Sequence, residues 1–364
     1  MRTREGLVAI AMAGALVNGC SADVEPEAEP TPSAFSSTAT GDESPGAPSD
    51  DATDEPDDPR EETEPTKPVS VLGLAAETHR GDRLRLGAVR ERTAAYTSYD
   101  VAYRSRSTTR AGAGPEEGYT ISGVLNVPTG RGPFPAVVLA HGYIDPAYYV
   151  RGQGMTRERG YLAARGYIAL HVDYRNHAES TDDPAYQRRM RLGYTADVIN
   201  AVNALRASRD VPVDDDRVAL FGRSMGGGVI LKALVAAPGL VQAAAPWASV
   251  SSLEAENYRR FMRDPEDVGV RGELERRWGT PAQNPRHWRQ NSSRPYLDRI
   301  TEPVLMVHGR FDDSCPPEWA TATFRALREN GVDAQLQWYD DGHAFGPAFN
   351  AAMDRTVRFF DRQL

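Results

Sequence analysis

The chain has 364 residues, of which 40% are hydrophobic, and 42 Lys and Arg stand against 51 Asp and Glu, for a formal net charge of −9. The acidic excess lies in residues 21–68, where fifteen Asp and Glu accompany only Arg60 and Lys67, so the rest of the chain is near neutral. This balance excludes a strongly basic nucleic-acid-binding protein, and the presence of only Cys20 and Cys315 excludes a disulfide scaffold.

The first twenty residues have the layout of a secretory signal. Arg2 and Arg4 precede an apolar run at residues 7–17 that is too short to span a bilayer, and a small residue comes directly before Cys20. A cysteine in this place resembles the lipobox of bacterial lipoproteins, in which the thiol is lipidated and becomes the mature N-terminus. We therefore expect a lipoprotein signal peptide at residues 1–20 and an extracytoplasmic protein anchored to the bacterial cell membrane through Cys20. The alternative is an ordinary signal peptide with an incidental cysteine.

Residues 21–68 are rich in Pro, Ser, Thr and acidic side chains, and Phe35 is their only aromatic residue. Such a segment buries too little apolar surface to offset its chain entropy, so we expect a disordered acidic tether. Residues 69–118 follow as an N-terminal extension that contains the first predicted strand. The remaining chain, 119–364, is long enough to fold around one large core.

Short apolar runs alternate with longer helical patterns through the folded part. Phe134–Ala140 is a continuous apolar run, as expected of a strand that is covered on both faces. This alternation predicts an α/β fold with a mostly parallel central sheet and helices on both faces. The predicted strands are 96–103, 119–127, 134–140, 167–172, 218–221, 243–247, 304–307 and 335–338, and the predicted helices are 156–164, 194–207, 225–236, 317–330 and 351–362.

The stretch 251–300 interrupts this alternation, because about fifty residues lie where one helix would join two strands. Tyr258, Phe261, Trp278 and Trp288 supply apolar side chains, so we expect a helical cap over the site. The same aromatic residues would equally serve to attach the insertion to the body.

The strongest motif is Gly222-Arg223-Ser224-Met225-Gly226, which directly follows the predicted strand 218–221 and directly precedes a predicted helix. A nucleophile elbow needs this context, because its serine lies on a strained turn and the glycines on both sides allow close backbone approach. The helix N-terminus also directs its positive end toward developing negative charge. The sequence therefore predicts that Ser224 is the catalytic nucleophile of an α/β-hydrolase fold.

A serine hydroxyl needs a base, and in this fold the acid and then the histidine follow the serine along the chain. His287 lies in the insertion and His308 at a strand end, so His343, in the loop after the last strand, is the predicted base. Asp312 follows the strand 304–307 and is the predicted acid partner of His343. Of the other nearby acids, Asp313 is expected to be a capping or solvated residue, and Asp340 and Asp341 are expected to be surface charges.

The oxyanion needs two N–H donors. We expect the amide of Met225, next after the nucleophile, and the amide of Tyr143, in the loop that begins at His141. His141 itself is expected to be a structural hydrogen-bonding residue, and Arg175 to organise loops near the site. The sequence has no metal-ligand spacing and no phosphate-binding glycine loop, so neither a metal nor another cofactor is expected.

With these residues in place, residues 119–364 resemble the catalytic domain of the prolyl oligopeptidase family of serine peptidases. The elbow with its extra glycine, the approach to it, a segment before the acid, and the acid and histidine blocks are all similar to that family. The resemblance implies an α/β-hydrolase fold, a triad of Ser224, Asp312 and His343, and peptidase activity. The matching blocks are 213–218, 222–227, 276–281 with 284–285, 308–312 and 342–343.

Two features depart from the family pattern. About fifty residues expected to fold precede residue 119, too few for the β-propeller of the family peptidases, and Ala140-His141 stands where several members place an oxyanion tyrosine. The expected function is a serine hydrolase that forms an acyl-enzyme, as a peptidase acting on short peptides or as a carboxylesterase acting on small esters. A hypothesis of another class is a catalytically silent surface protein that binds a partner. No feature of the sequence indicates an oligomeric state.

Overall fold

The structure is a computed structural model that describes residues 69–108, 118–262 and 268–364. The predicted signal peptide, with Cys20, and the predicted tether lie outside the described residues. None of the helices in the described ranges is both long and apolar enough to cross a membrane.

The described residues contain nine strands: β1 Thr78–Arg92, β2 Tyr96–Thr108, β3 Tyr119–Pro128, β4 Phe134–Ala140, β5 Ile168–Val172, β6 Val213–Arg223, β7 Ala243–Trp247, β8 Val304–Gly309 and β9 Ala334–Tyr339. They form one sheet in the order β1-β2-β3-β5-β4-β6-β7-β8-β9. The pairs β1-β2, β2-β3 and β3-β5 are antiparallel. The pairs β5-β4, β4-β6, β6-β7, β7-β8 and β8-β9 are parallel. The predicted mostly parallel sheet is therefore confirmed.

The helices of the described ranges are α1 Val71–Ala75, α2 Thr156–Ala163, α3 Leu192–Arg206, α4 Met225–Ala236, α5 Glu254–Phe261, α6 Val268–Trp278, α7 Pro285–Gln290, α8 Pro317–Glu329 and α9 Phe349–Gln363. They cover both faces of the sheet, because successive side chains of a strand point to opposite faces. In β4, Val138 packs in a core with α3, α4 and α8, whereas Val137 and Leu139 pack in a second core with α2 and α9. The predicted arrangement of a sheet between two helical layers is confirmed.

Strand β1 has no counterpart among the predicted strands. It is an edge strand that contains five arginines, and its pairing with β2 shifts register between Asp82 and Arg85 and again beyond Leu86. Each shift moves the following side chains out of the two-residue alternation by which a strand is recognised. A Cβ on Gly81 would lie 1.7 Å from the Asn200 oxygen, so this glycine lets β1 approach α3 closely.

The insertion at residues 251–300 forms α5, α6, α7 and a 3₁₀ helix at Arg294–Arg299. Its aromatic side chains pack on one another, and the Tyr258 and Trp288 rings lie 4.8 Å apart. They also attach the insertion to the body, since Trp278 Nε1 donates to the Arg188 oxygen at 2.9 Å. The aromatic residues thus join the helices of the insertion to one another and attach the insertion to the body.

Candidate active site

Ser224 lies at the turn between β6 and α4 with φ 57° and ψ −122°, a backbone conformation that residues other than glycine rarely adopt. Its N–H donates to the Trp247 oxygen at 2.9 Å. Steric constraints require glycine at both flanking positions. A Cβ on Gly222 would lie 2.3 Å from the Gly226 oxygen, and one on Gly226 would lie 1.9 Å from the Ala140 oxygen. The turn has the strain and the close packing of a nucleophile elbow.

Asp312 and His343 meet beyond the ends of β8 and β9. His343 Nδ1 lies 3.0 Å from Asp312 Oδ1 and 2.9 Å from Oδ2. Oδ1 also accepts the N–H groups of Ser314 at 3.0 Å and Cys315 at 2.8 Å. Burial raises the pKa of Asp312, but the hydrogen bonds from His343 and Cys315 outweigh it and hold the pKa below its ordinary value. An ionised Asp312 keeps Nδ1 protonated, so Nε2 of His343 is the proton acceptor.

The loop that carries His343 is tied to the elbow. Arg223 Nη1 lies 3.5 Å from the Ala344 oxygen, and Arg157 Nη2 donates to the same oxygen at 2.8 Å. Within the described ranges no hydrogen bond joins Ser224 Oγ directly to His343. In resting hydrolases this contact is often long and shortens when substrate binds. The three predicted triad residues are therefore brought to one place, with the nucleophile and the base on adjoining loops.

Cys315 lies beside the nucleophile and is fully buried. Burial and the charge of Asp312 raise the pKa of its thiol to about 12, although a hydrogen bond with the Ser224 hydroxyl opposes the rise. The thiol therefore stays protonated at neutral pH. A protonated thiol is a weak nucleophile, because only the thiolate is a strong one. Cys315 packs against the site and is not a candidate nucleophile.

The predicted oxyanion residues both lie beside the nucleophile. A Cβ on Gly142 would lie 3.1 Å from Ser224 Cβ, so the loop that contains Tyr143 packs against the elbow. Met225 is the first residue of α4, and the N–H groups at a helix start have no partner within the helix. Tyr143 is 54% exposed and lines the same cavity as Ser224. The donor roles of the two amides remain a prediction.

His141 and Arg175 have the structural roles predicted for them. His141 is buried with Nδ1 2.6 Å from the Gly142 oxygen, and burial lowers its pKa to about 3, so the ring is neutral. Arg175 donates to Asp197 at 3.0 and 2.8 Å and to Asp183 at 3.0 Å, and all three side chains are buried. The predicted loop-organising role of Arg175 is confirmed.

The prediction that Asp341 is a surface charge is wrong. Its side chain is buried and accepts the N–H groups of Gly342 at 2.8 Å, Gly346 at 3.1 Å and Ala348 at 2.8 Å, on both sides of His343. Burial opposes ionisation, but these hydrogen bonds lower the pKa of Asp341 below its ordinary value. The carboxylate therefore fixes the loop that presents His343. A carboxylate two residues before the histidine was the only sequence signal for it.

Among the other rejected candidates, His308 lies beside the acid, with its Nε2 3.4 Å from Asp312 Oδ2. Asp340 is exposed and pairs with Arg310 at 3.0 Å, and Asp313 is exposed. His308 is buried with Nε2 2.9 Å from the Cys315 oxygen, and the ring of His287 stacks on Trp278 in the insertion.

Replacing Asp341 with alanine should loosen the histidine loop. Three N–H groups lose a charged acceptor, so we expect the free energy of unfolding to fall by about 1–3 kcal/mol. Misplacement of His343 should also lower kcat, by roughly 10- to 100-fold. Urea unfolding and steady-state kinetics measure the two effects. Asp340→Ala is the matched control, and equal losses in both variants would show that Asp341 has no special role in the loop.

A cavity of about 280 Å³ opens beside Ser224, between α3 and α4 of the body and α5, α6 and α7 of the insertion. Its walls are largely apolar and include Val229, Val250 and Leu274. His343 is not part of these walls. In acyl transfer the histidine protonates the leaving group, which must therefore lie on the histidine side. For acyl transfer at Ser224, this arrangement favours the cavity as the place of the acyl group.

A family model of peptidases, described as "Prolyl oligopeptidase family", matches residues 154–364. The match covers more than half of the chain. This chain belongs to the prolyl oligopeptidase family. It is 29% identical over 197 residues to dipeptidyl peptidase 4 of Felis catus, covering 52% of this chain and 24% of that protein. It is 23% identical over 249 residues to the uncharacterized peptidase YtmA of Bacillus subtilis, covering 66% of this chain and 88% of that protein. The chain thus spans about a quarter of dipeptidyl peptidase 4.

Solved structures show the same fold. An acetyl xylan esterase from Paenibacillus sp. R4 superposes with a TM-score of 0.60 at 21% identity, over 81% of this chain and 92% of that chain. The acylaminoacyl peptidase of Pyrococcus horikoshii superposes with a TM-score of 0.54 at 18% identity, over 74% of this chain and 48% of that chain. The α/β-hydrolase fold and the predicted resemblance to the prolyl oligopeptidase family are confirmed, and the protein is a serine hydrolase.

Proposed function

We propose that the protein cleaves an acyl bond through an acyl-enzyme on Ser224. Ser224 Oγ attacks the carbonyl carbon while His343 Nε2 takes the hydroxyl proton. The bond from the acyl carbon to the leaving nitrogen or oxygen breaks as His343 returns that proton to the leaving group. Water then attacks the acyl carbon and gives a proton to His343, which passes it to Ser224 Oγ as the carboxylic acid leaves.

The observation that carries this proposal is the ionised Asp312 at 2.9 Å from His343 Nδ1, beside a serine on a strained elbow. The pairing supplies a base of the correct tautomer and stabilises the imidazolium that forms. The amides of Met225 and Tyr143 would stabilise the oxyanion. A complete set of this kind argues against the catalytically silent binding protein.

For the substrate we propose short peptides. The cavity volume of about 280 Å³ lies near the lower end of small-molecule sites, which run from roughly 300 to 1,000 Å³. A small acyl group fits such a space, whereas a long chain does not. Membership of a peptidase family supports an amide substrate. The relative YtmA supports it as well, because it is named as a peptidase and the match covers 88% of its length.

A second candidate is a carboxylesterase acting on small esters, and one contact favours it. Lys232 Nζ lies 2.6 Å from Glu254 Oε1 in the cavity wall, and both side chains are largely buried. Glu254 is thereby neutralised, so it does not offer an uncompensated carboxylate to the free amino terminus of a peptide. The same triad attacks esters as well as amides, and an ester is the more reactive of the two acyl bonds.

One purified sample should be assayed with p-nitrophenyl esters and with blocked and unblocked peptidyl p-nitroanilides. We expect turnover of the esters and of the nitroanilides with blocked amino termini, and labelling of Ser224 by a fluorophosphonate. Ester turnover with no nitroanilide turnover would contradict the peptidase and support the carboxylesterase. Absence of both, together with absence of labelling, would contradict acyl transfer at Ser224.

We also propose that Cys20 is lipidated and anchors the protein outside the cytoplasm, on the layout of the first twenty residues. Two acyl chains would hold it stably, because each buried methylene contributes about 0.8 kcal/mol. Cys20→Ser should therefore release the protein into the medium, as measured by fractionation of cells and medium. Ser21→Ala is the control and should stay with the membrane fraction. Retention of Cys20→Ser on the membrane would count against lipidation.

A further inference from the structure

We infer that the cavity beside Ser224 binds an acyl group that carries a carboxylate, through Arg191 and Thr195 at the start of α3. This inference rests on the proposed acyl transfer at Ser224 and gives the substrate class of that site. Arg191 is the N-cap residue directly before α3, Thr195 lies in the first turns of that helix, and both line the cavity.

Arg191 has few partners for its donors. Its Nε donates to Gln187 Oε1 at 2.9 Å, Nη1 lies 3.9 Å from the Met225 sulfur, and the guanidinium carbon lies 5.0 Å from the centre of the Tyr143 ring. No carboxylate among the described residues pairs with it, in contrast to Arg175, which contacts two. A guanidinium carries five N–H donors in a planar fork that fits a carboxylate. Arg191 therefore brings an uncompensated charge and unfilled donors to the cavity wall.

Thr195 supplies an independent observation. The residue is 1% exposed, and its Oγ1 has no hydrogen-bond partner in the part of the chain that the structure describes. A helical threonine can donate to the carbonyl four residues back, which is that of Arg191, but this one does not. A buried hydroxyl without a partner is unfavourable, so a ligand oxygen in the cavity would satisfy it.

The charges of the wall favour an anion. Lys232 and Glu254 compensate each other at 2.6 Å, so Arg191 leaves the described wall with a net positive charge beside largely apolar side chains. Such a wall attracts a carboxylate and repels an ammonium group. With the acyl group placed in the cavity, the carboxylate belongs to the acyl part of the substrate. An acidic side chain, or a dicarboxylic acyl group on a peptide or an ester, has this chemistry.

The p-nitrophenyl esters of N-acetylglutamate and N-acetylglutamine test this inference, because their acyl groups have the same shape and differ in charge. We expect wild-type kcat/KM to be about 10- to 100-fold higher for the glutamate ester, mainly through a lower KM. Arg191→Gln should bring the ratio close to one, and Thr195→Val should lower it by about 3- to 10-fold. Each ratio is measured within one variant, so a partial loss of folded protein cancels.

Arg188→Gln is the matched control, since Arg188 is exposed and pairs with Glu273 at 3.4 Å. It should keep the wild-type ratio. Equal wild-type turnover of the two esters, or a ratio that survives Arg191→Gln, overturns the inference and leaves acyl transfer intact. If neither ester nor p-nitrophenyl acetate is hydrolysed and a fluorophosphonate does not label Ser224, the proposed function fails and the inference falls with it.

Discussion

Ser224→Ala is expected to lower kcat by about 10⁶-fold, because no other group in the site can form the acyl-enzyme. Cys315 lies beside it, but its pKa of about 12 keeps the thiol protonated at neutral pH. The free energy of unfolding should stay within about 1 kcal/mol of the wild type, since the hydroxyl lies at the edge of the cavity and is not part of either apolar core. Steady-state kinetics with a p-nitrophenyl ester and urea unfolding measure the two quantities.

A second serine close to α4 provides the control. Ser249 is buried, donates from Oγ to the Val250 oxygen at 3.0 Å, and takes no part in the proposed reaction. Ser249→Ala should retain kcat within about threefold and remain reactive toward a fluorophosphonate, at a cost in stability of about 1 kcal/mol. If Ser224→Ala still turned over substrate, or if it failed to fold while Ser249→Ala folded, the assignment of the nucleophile would be wrong.

The members of the proposed triad could be picked out from the sequence because each is marked by local chemistry. Ser224 stands between two glycines that the elbow requires for close backbone contact, and that pattern is visible in five residues. Asp312 and His343 each follow a strand, and the carboxyl ends of neighbouring parallel strands meet at one edge of a sheet. Strands β8 and β9 are such neighbours, so the acid and the base come together.

The residues that the sequence did not reveal act through contacts that no local pattern encodes. Asp341 looks like one of two adjacent surface acids, and only the course of the loop turns it toward three backbone N–H groups. Arg191 and Thr195 lie at the start of α3 next to the insertion. The few partners of Arg191 and the unpaired hydroxyl of Thr195 depend on what packs against them. Strand β1 escaped prediction because register shifts break its alternation. Each case is decided by tertiary packing.

Asp312→Asn is expected to lower kcat by about 10⁴-fold with little change in overall structure. The asparagine oxygen can still accept the N–H groups of Ser314 and Cys315, but its NH₂ group would face His343 Nδ1. The imidazole then favours the tautomer with the proton on Nε2, which cannot accept the proton of Ser224. Asp313→Asn makes the same chemical change at an exposed neighbour and should leave kcat within about threefold of the wild type.

The pH dependence of stability separates this electrostatic role from a packing role. The folded pKa of Asp312 lies below its ordinary value, so the carboxylate stabilises the fold above the unfolded pKa of about 3.9. That contribution is lost as the pH falls through the folded pKa. The deficit of Asp312→Asn relative to the wild type should therefore be full at pH 7 and shrink below about pH 4 in urea unfolding. A deficit that is constant from pH 7 to pH 3 would mean that folding does not shift the pKa of Asp312, and it would contradict an Asp312 held ionised by its contact with His343.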